Sequence, residues 1–170
     1  MIRAKSLAMS LVLGAAFVSG CASYDGRGLV PGKSTAAEVE QLMGAPAEKM
    51  VEPTGDSVWF YPRGPMGRHT YAVRVAPNGV MRDIEQRLTV ENLSKLFAGE
   101  TTARDVRVLF GPPSRVFRND RLQRDIWEYP MKNQIDMDYS LFAQFSYDGV
   151  LREALFLRDP KYDAGPGGYN

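Results

Sequence analysis

One stretch of this chain occurs twice, and the duplication constrains the fold more than any other feature. Gly32, Thr35, Val39, Leu42, Gly44 and Pro46 recur in register as Gly99, Thr102, Val106, Leu109, Gly111 and Pro113, an offset of 67 residues. Two further blocks follow in the same order. Trp59, Tyr61 and Pro62 match Trp127, Tyr129 and Pro130 at an offset of 68, and Asn78, Gly79 and Val80 match Asp148, Gly149 and Val150 at an offset of 70. The growing offset places small insertions in loops, where they are tolerated. Three blocks repeated in order imply two units that fold alike.

Each copy of the first block has the grammar of a short capped helix. Thr35 is placed to cap the N-terminus and Glu38 to complete a capping box; Thr102 and Asp105 hold the same positions. Val39 with Leu42, and Val106 with Leu109, share one helical face. Gly44 and Gly111 suit a C-terminal cap, and the following prolines block continuation. Helices are therefore expected at about 35–43 and 103–110. A further helix is expected at about 90–97, where Thr89 caps and Leu93, Leu96 and Phe97 form an apolar stripe. Period-2 alternation places strands near 47–52, 57–62, 69–76 and 80–86, and again near 114–119, 124–130, 139–147 and 150–157. Asn78 and Gly79 mark a tight hairpin turn. The chain thus reads as an α+β protein of two tandem helix-helix-antiparallel-sheet modules, at 29–87 and 88–160, with a disordered tail at 161–170. In each module one sheet face must bury under its helices, while the other can be solvated.

The N-terminus is a compartment signal. Arg3 and Lys5 precede an apolar run from Leu7 to Val18, too short to span a bilayer and suited to a secretory signal peptide at 1–20. Val18, Ser19, Gly20 and Cys21 then resemble a lipobox, the cleavage site of bacterial lipoprotein precursors. The resemblance implies a diacylglyceryl thioether and an N-acyl chain, such as palmitate, on Cys21. Several acyl chains make such an anchor stable where one does not. Residues 21–28 would be a lipidated tether, and Ala22, in place of an inner-membrane-retaining Asp, points to the outer membrane. Cys21 is the only cysteine, so no disulfide can form within the chain.

Cleavage before Cys21 would leave 19 of the 21 basic side chains against 20 acidic ones. A near-neutral domain does not suit nucleic acid. No catalytic constellation stands out: His69 is the only histidine and has no companion motif, and Asp136 with Asp138 lacks the ligand count of a cation loop. The reading is of a non-enzyme without metal or cofactor. Arg68, Tyr71, Arg74, Tyr139 and Phe142 are the candidate partner-binding residues. Phe142 is a large apolar side chain on the strand face opposite Leu141, Ala143 and Phe145, and Arg63, Arg68 and Arg74 could meet anionic lipid headgroups. Trp59, Tyr61, Trp127 and Tyr129 are assigned to core packing, on a face the pattern leaves open.

The repeated Gly-x-Thr/Ser helix ending in Gly-x-Pro, the Trp-x-Tyr pair and the Asn-Gly-Val turn together resemble the small outer-membrane lipoproteins of the SmpA/OmlA, or BamE, family. The stretch from Thr89 to Leu96, leading to Gly99 and Thr101, resembles that family's first helix. The likeness covers about residues 29–158. It implies a helix-helix-three-stranded-sheet unit, here doubled, and an accessory or scaffolding role in β-barrel outer-membrane protein assembly or envelope integrity, facing the periplasm. Two fused modules are also similar in arrangement to the secreted β-lactamase-inhibitory proteins. That alternative implies a binding or sensor module that captures a periplasmic enzyme on one concave sheet.

Overall fold

The computed structural model describes residues 25–64 and 67–159 of the 170-residue chain. The expected signal peptide, Cys21 and the 161–170 tail lie outside the described residues. The element order is α1 (Ala36–Met43), β1 (Glu48–Val51), β2 (Ser57–Pro62), β3 (Thr70–Val75), β4 (Met81–Gln86), α2 (Val90–Leu93), α3 (Ala103–Phe110), β5 (Arg115–Asn119), β6 (Arg124–Lys132), β7 (Asp138–Ser146) and β8 (Leu151–Arg158). The strands form two separate four-stranded antiparallel meanders, β1-β2-β3-β4 and β5-β6-β7-β8.

The expected α+β arrangement of two helix-helix-sheet modules is overturned. The chain is mostly β, with three short helices among the described residues and four strands per sheet, the number that the alternation placed and one more than the family resemblance implies. Among the described residues the first module has one helix. Residues before it form a turn around Pro31 and Gly32, in which the Lys33 and Ser34 amides both donate to the Val30 carbonyl. The helix expected at 90–97 stops after one turn. Beyond Leu93 the Lys95 and Leu96 amides reach back only three residues, and the Phe97 amide donates to the Thr101 hydroxyl. A single turn held this way does not propagate, because each further residue needs its own four-back partner.

Two of the three repeated sequence blocks, the capped helix and the hairpin turn, are parts of one device. Thr35 and Thr102 cap α1 and α3, and in both the carboxylate of Glu38 or Asp105 returns to the cap amide, at 2.6 and 2.8 Å. The first helical amides, Ala36 and Ala103, each donate to a hairpin glycine carbonyl, Gly79 or Gly149, at 2.8 Å. Gly32 and Gly99 donate to Met81 and Leu151 at the same distance. The helix N-terminus is thus sewn to the last hairpin of its own sheet in both halves. Both sheets also carry a register shift at the same place, between Arg74 and Val75 and between Gln144 and Phe145.

Each sheet has an inner face packed under its own helices. Val39 and Met43 of α1 meet Trp59, Tyr61, Val73 and Met81. Val106 and Phe110 of α3 meet Tyr129, Met131, Leu141 and Phe145, with Leu93 and Leu96 at the margin. The two Trp-x-Tyr pairs therefore both point inward. The second face, which an antiparallel sheet can leave to solvent, is not solvated in the first sheet, where Val58 and Phe60 on the far side are as buried as Trp59 and Tyr61. They form a further apolar cluster with Ala72 and Met50. The physical reason is the other module, which lies against them.

Candidate protein-docking surface

Helix α3 serves two masters. Its inner side chains fill the second core, and its outer side lies on the first sheet. Arg107 donates to Glu48 from Nε and Nη2, each at 2.8 Å, a forked geometry that fixes both groups. The carboxylate holds the guanidinium pKa above its ordinary value, through hydrogen bonding first. The α3 cap, Gly111, sits at φ +80°, and a Cβ there would stand 2.8 Å from the Phe60 ring and 3.0 Å from the Thr70 methyl. Only a glycine permits so close an approach. Between the outer side of α3 and the first sheet lies an apolar pocket of about 270 Å³, with Met50, Val58, Phe60 and Val108 in its walls and Arg87 and Arg104 at its edge.

Among the described residues no helix covers the equivalent face of the second sheet, although Glu128, Ser140 and Gln144 on it are buried. Strand pairing gives the correspondence: Glu48 opposes Phe60 and Phe60 opposes Ala72, as Arg115 opposes Glu128 and Glu128 opposes Phe142. This outer face carries Phe117, Ile126, Phe142, Leu155 and Leu157, with Arg115 and Glu128 beside them. All three described helices pack elsewhere. Phe117 is 41% exposed and Leu157 50% exposed. A cleft of about 740 Å³ opens along one end of the face, between Pro62, Gly64 and Arg68 of the first module and Ser114, Arg115, Glu128 and Ser140 of the second. The Gln144 amide oxygen is buried on this face without a hydrogen-bond partner. Its counterpart in the first sheet, Arg74, is ion-paired to Glu52 and Asp83 at 3.2 and 2.9 Å. Apolar side chains left on one face of a sheet, bordered by charge, are what a docking surface requires.

The candidate residues named from the sequence fall in four places. Phe142 is half-buried at the centre of the uncovered face. Arg68 instead ties the modules together, with its side chain 12% exposed; it donates to the Tyr139 carbonyl at 2.8 Å and pairs with Asp138 and Asp159. Tyr139 stacks on Phe156, with ring centroids 4.6 Å apart, beside that cluster. Tyr71 packs at the margin of the first core and stacks with His69. Arg74 belongs to the ion-paired group above. Of the cations considered for lipid headgroups, Arg68 and Arg74 are thus held by carboxylates, and Arg63 lies over the Tyr61 ring at 5.5 Å. Among the described residues, no group of His, Cys, Asp or Glu is arranged to hold a metal ion. Sequence reasoning missed Phe117, Ile126, Leu155 and Leu157. Alternation alone does show them sharing Phe142's face once the strands are registered.

No family model and no curated protein matches this chain. Among solved structures it is similar to the crystal structure of a DUF4309 family protein, YjgB, from Bacillus subtilis, at 19% identity over 78% of this chain and 84% of that one, with a TM-score of 0.32. A likeness at that level decides neither fold nor activity.

Proposed function

We propose that this protein is a lipid-anchored, protein-binding module of the bacterial outer membrane, facing the periplasm. The observation that carries the binding part is the outer face of the second sheet, which no described helix covers, whereas its counterpart in the first sheet lies under α3. The lipobox-like run ending at Cys21 supports the anchor. Binding rather than chemistry fits a chain whose strongly placed charges, Arg68, Arg74 and Arg107, hold its own parts together. β-Barrel assembly is the first context to test, since the pattern at 99–113 resembles subunits of that machine.

A photo-crosslinking residue in place of Phe142, introduced in living bacteria, tests the surface. Specific protein adducts are expected, and their absence overturns binding at this face. Labelling with an alkyne palmitate analogue tests the anchor. Label that survives Cys21→Ala removes it. Co-purification with barrel-assembly subunits would support that context, and a preparation holding none of them sinks it.

A further inference from the structure

We infer that the outer face of the second sheet seats helix α1 of a second copy of this chain, so that copies associate head to tail. This rests on the reading of that face as a docking surface, and it names the occupant.

The seat is already used once inside the molecule. In the chain itself, α3 lies on the first sheet with Arg107 on Glu48 and with Gly111 against Phe60 and Thr70. The positions equivalent to Glu48, Phe60 and Thr70 in the second sheet are Arg115, Glu128 and Ser140. These three border the 740 Å³ cleft. The first sheet's copy of the seat is filled by a helix; in the second sheet's copy Arg115 is exposed, Glu128 and Ser140 are buried, and the cleft beside them is walled on its other side by Pro62, Gly64 and Arg68.

The helix that matches this seat is α1. It has the same length, cap and capping box as α3. Its outward residues Ala37, Glu40 and Gln41 are exposed, and nothing lies within 4 Å of where a Cβ on Gly44 would stand.

The charges then choose between the helices. Arg107 of α3 corresponds to Glu40 of α1, and Glu48 of β1 corresponds to Arg115 of β5. The pair is inverted. Placing α1 on the second sheet sets Glu40 against Arg115. Placing α3 there would set Arg107 against Arg115, and placing α1 on the first sheet would set Glu40 against Glu48. Like charges at a close contact disfavour the wrong partner, so the pattern favours one helix for each sheet, with Arg115 shared between Glu128 and the incoming Glu40.

Both groups can make the new contact. The Arg115 side chain is 67% exposed while it holds Glu128 at 2.8 Å, and a guanidinium has donors left for a second carboxylate. Glu40 is held by exposed Lys49 at 2.8 Å, a pair that exchanges easily with water. Such a contact is heterologous: each copy keeps a free α1 at one end and a free sheet at the other, so association runs on into files or closes as a ring.

The test uses the full chain. Glu40→Cys protein is mixed with Arg115→Cys protein and treated with a short bis-maleimide. A cross-linked dimer is expected from the mixture and not from either variant mixed with the unsubstituted chain, which controls for Cys21. Glu40→Arg, on an exposed helix surface, is expected to weaken self-association about tenfold in sedimentation velocity, with partial recovery on mixing with Arg115→Glu. No dimer above the control overturns the inference. If the probe at Phe142 then captures a different protein, the docking surface stands with another occupant. If it captures only residues 160–170 of its own chain, both readings fall.

Discussion

Replacing Gly111 and Gly44 separately with alanine measures how tightly the two modules are pressed together. Both glycines end a helix in the same backbone conformation, φ +80° and ψ −163° for Gly111, φ +84° and ψ −173° for Gly44. That region is nearly closed to side chains, and an alanine forced into it costs about 1–3 kcal/mol at either site. The surroundings differ. A Cβ on Gly44 meets nothing, whereas one on Gly111 must displace the Phe60 ring and the Thr70 methyl, both at overlap distance. Phe60 is 1% exposed and Thr70 2%, so neither can swing into solvent. Overpacking of that kind adds about 1–3 kcal/mol. Gly111→Ala should therefore lose about 1–3 kcal/mol more than Gly44→Ala in urea unfolding followed by tryptophan fluorescence. Trp59 and Trp127 report one module each, so the traces also show whether the halves unfold together. Equal losses at the two sites, within about 0.5 kcal/mol, would refute the close seating of α3 on the first sheet.

Three further outcomes follow from the same geometry. In a double-mutant cycle, Glu48→Gln and Arg107→Ala should show a coupling of roughly 1 kcal/mol, more than a typical surface pair because the contact is forked and partly buried, with side chains 23% and 37% exposed. Tyr129→Phe should cost about 1 kcal/mol, since its hydroxyl donates to the Gly111 carbonyl at 3.1 Å. Tyr61→Phe should be neutral or stabilising, because that buried hydroxyl has no partner; thermal melts of the two variants check the contrast. Acid should loosen both helix N-termini. Hydrogen bonds from Thr35 and Thr102 hold the Glu38 and Asp105 carboxyls below their ordinary values of 4.5 and 3.8. A lowered folded value means that the contribution is complete at neutral pH and fades as pH falls through that value. Tm measured down the acid range should drop less steeply for Asp105→Asn than for the unsubstituted chain.

The local elements were legible because their signals are local. Thr35 with Glu38, Thr102 with Asp105 and the Asn78-Gly79 turn each satisfy their hydrogen bonds within a few residues, so spacing alone announces them. The alternation through Thr70 to Val75 and through Tyr139 to Phe145 likewise sorted the faces. What sequence could not show was what lies on a face once sorted. Val58 and Phe60 look like the outer half of an ordinary strand, yet they are buried by a helix some fifty residues on. Arg68 and Arg74 looked available as contacts because a positive charge in sequence carries no record of its carboxylate. The Thr89 cap and the Leu93, Leu96 and Phe97 stripe indicated a longer helix than the one turn observed. There the Thr101 hydroxyl competes for the Phe97 amide, a choice made by the following loop rather than by the stripe itself. For the candidate surface, Phe142 was visible from alternation, while its neighbours required the register of β5 and β8.

The double duty of α3 has a consequence for the order in which the protein comes into being. Residues up to Gln86 hold every strand of the first sheet, yet without α3 the side chains of Val58, Phe60 and Ala72 would face water. The earlier half must wait, greasy side outward, for the later half to arrive and close it. A chain cut after the first sheet would not be a smaller version of this protein but a sticky intermediate of it.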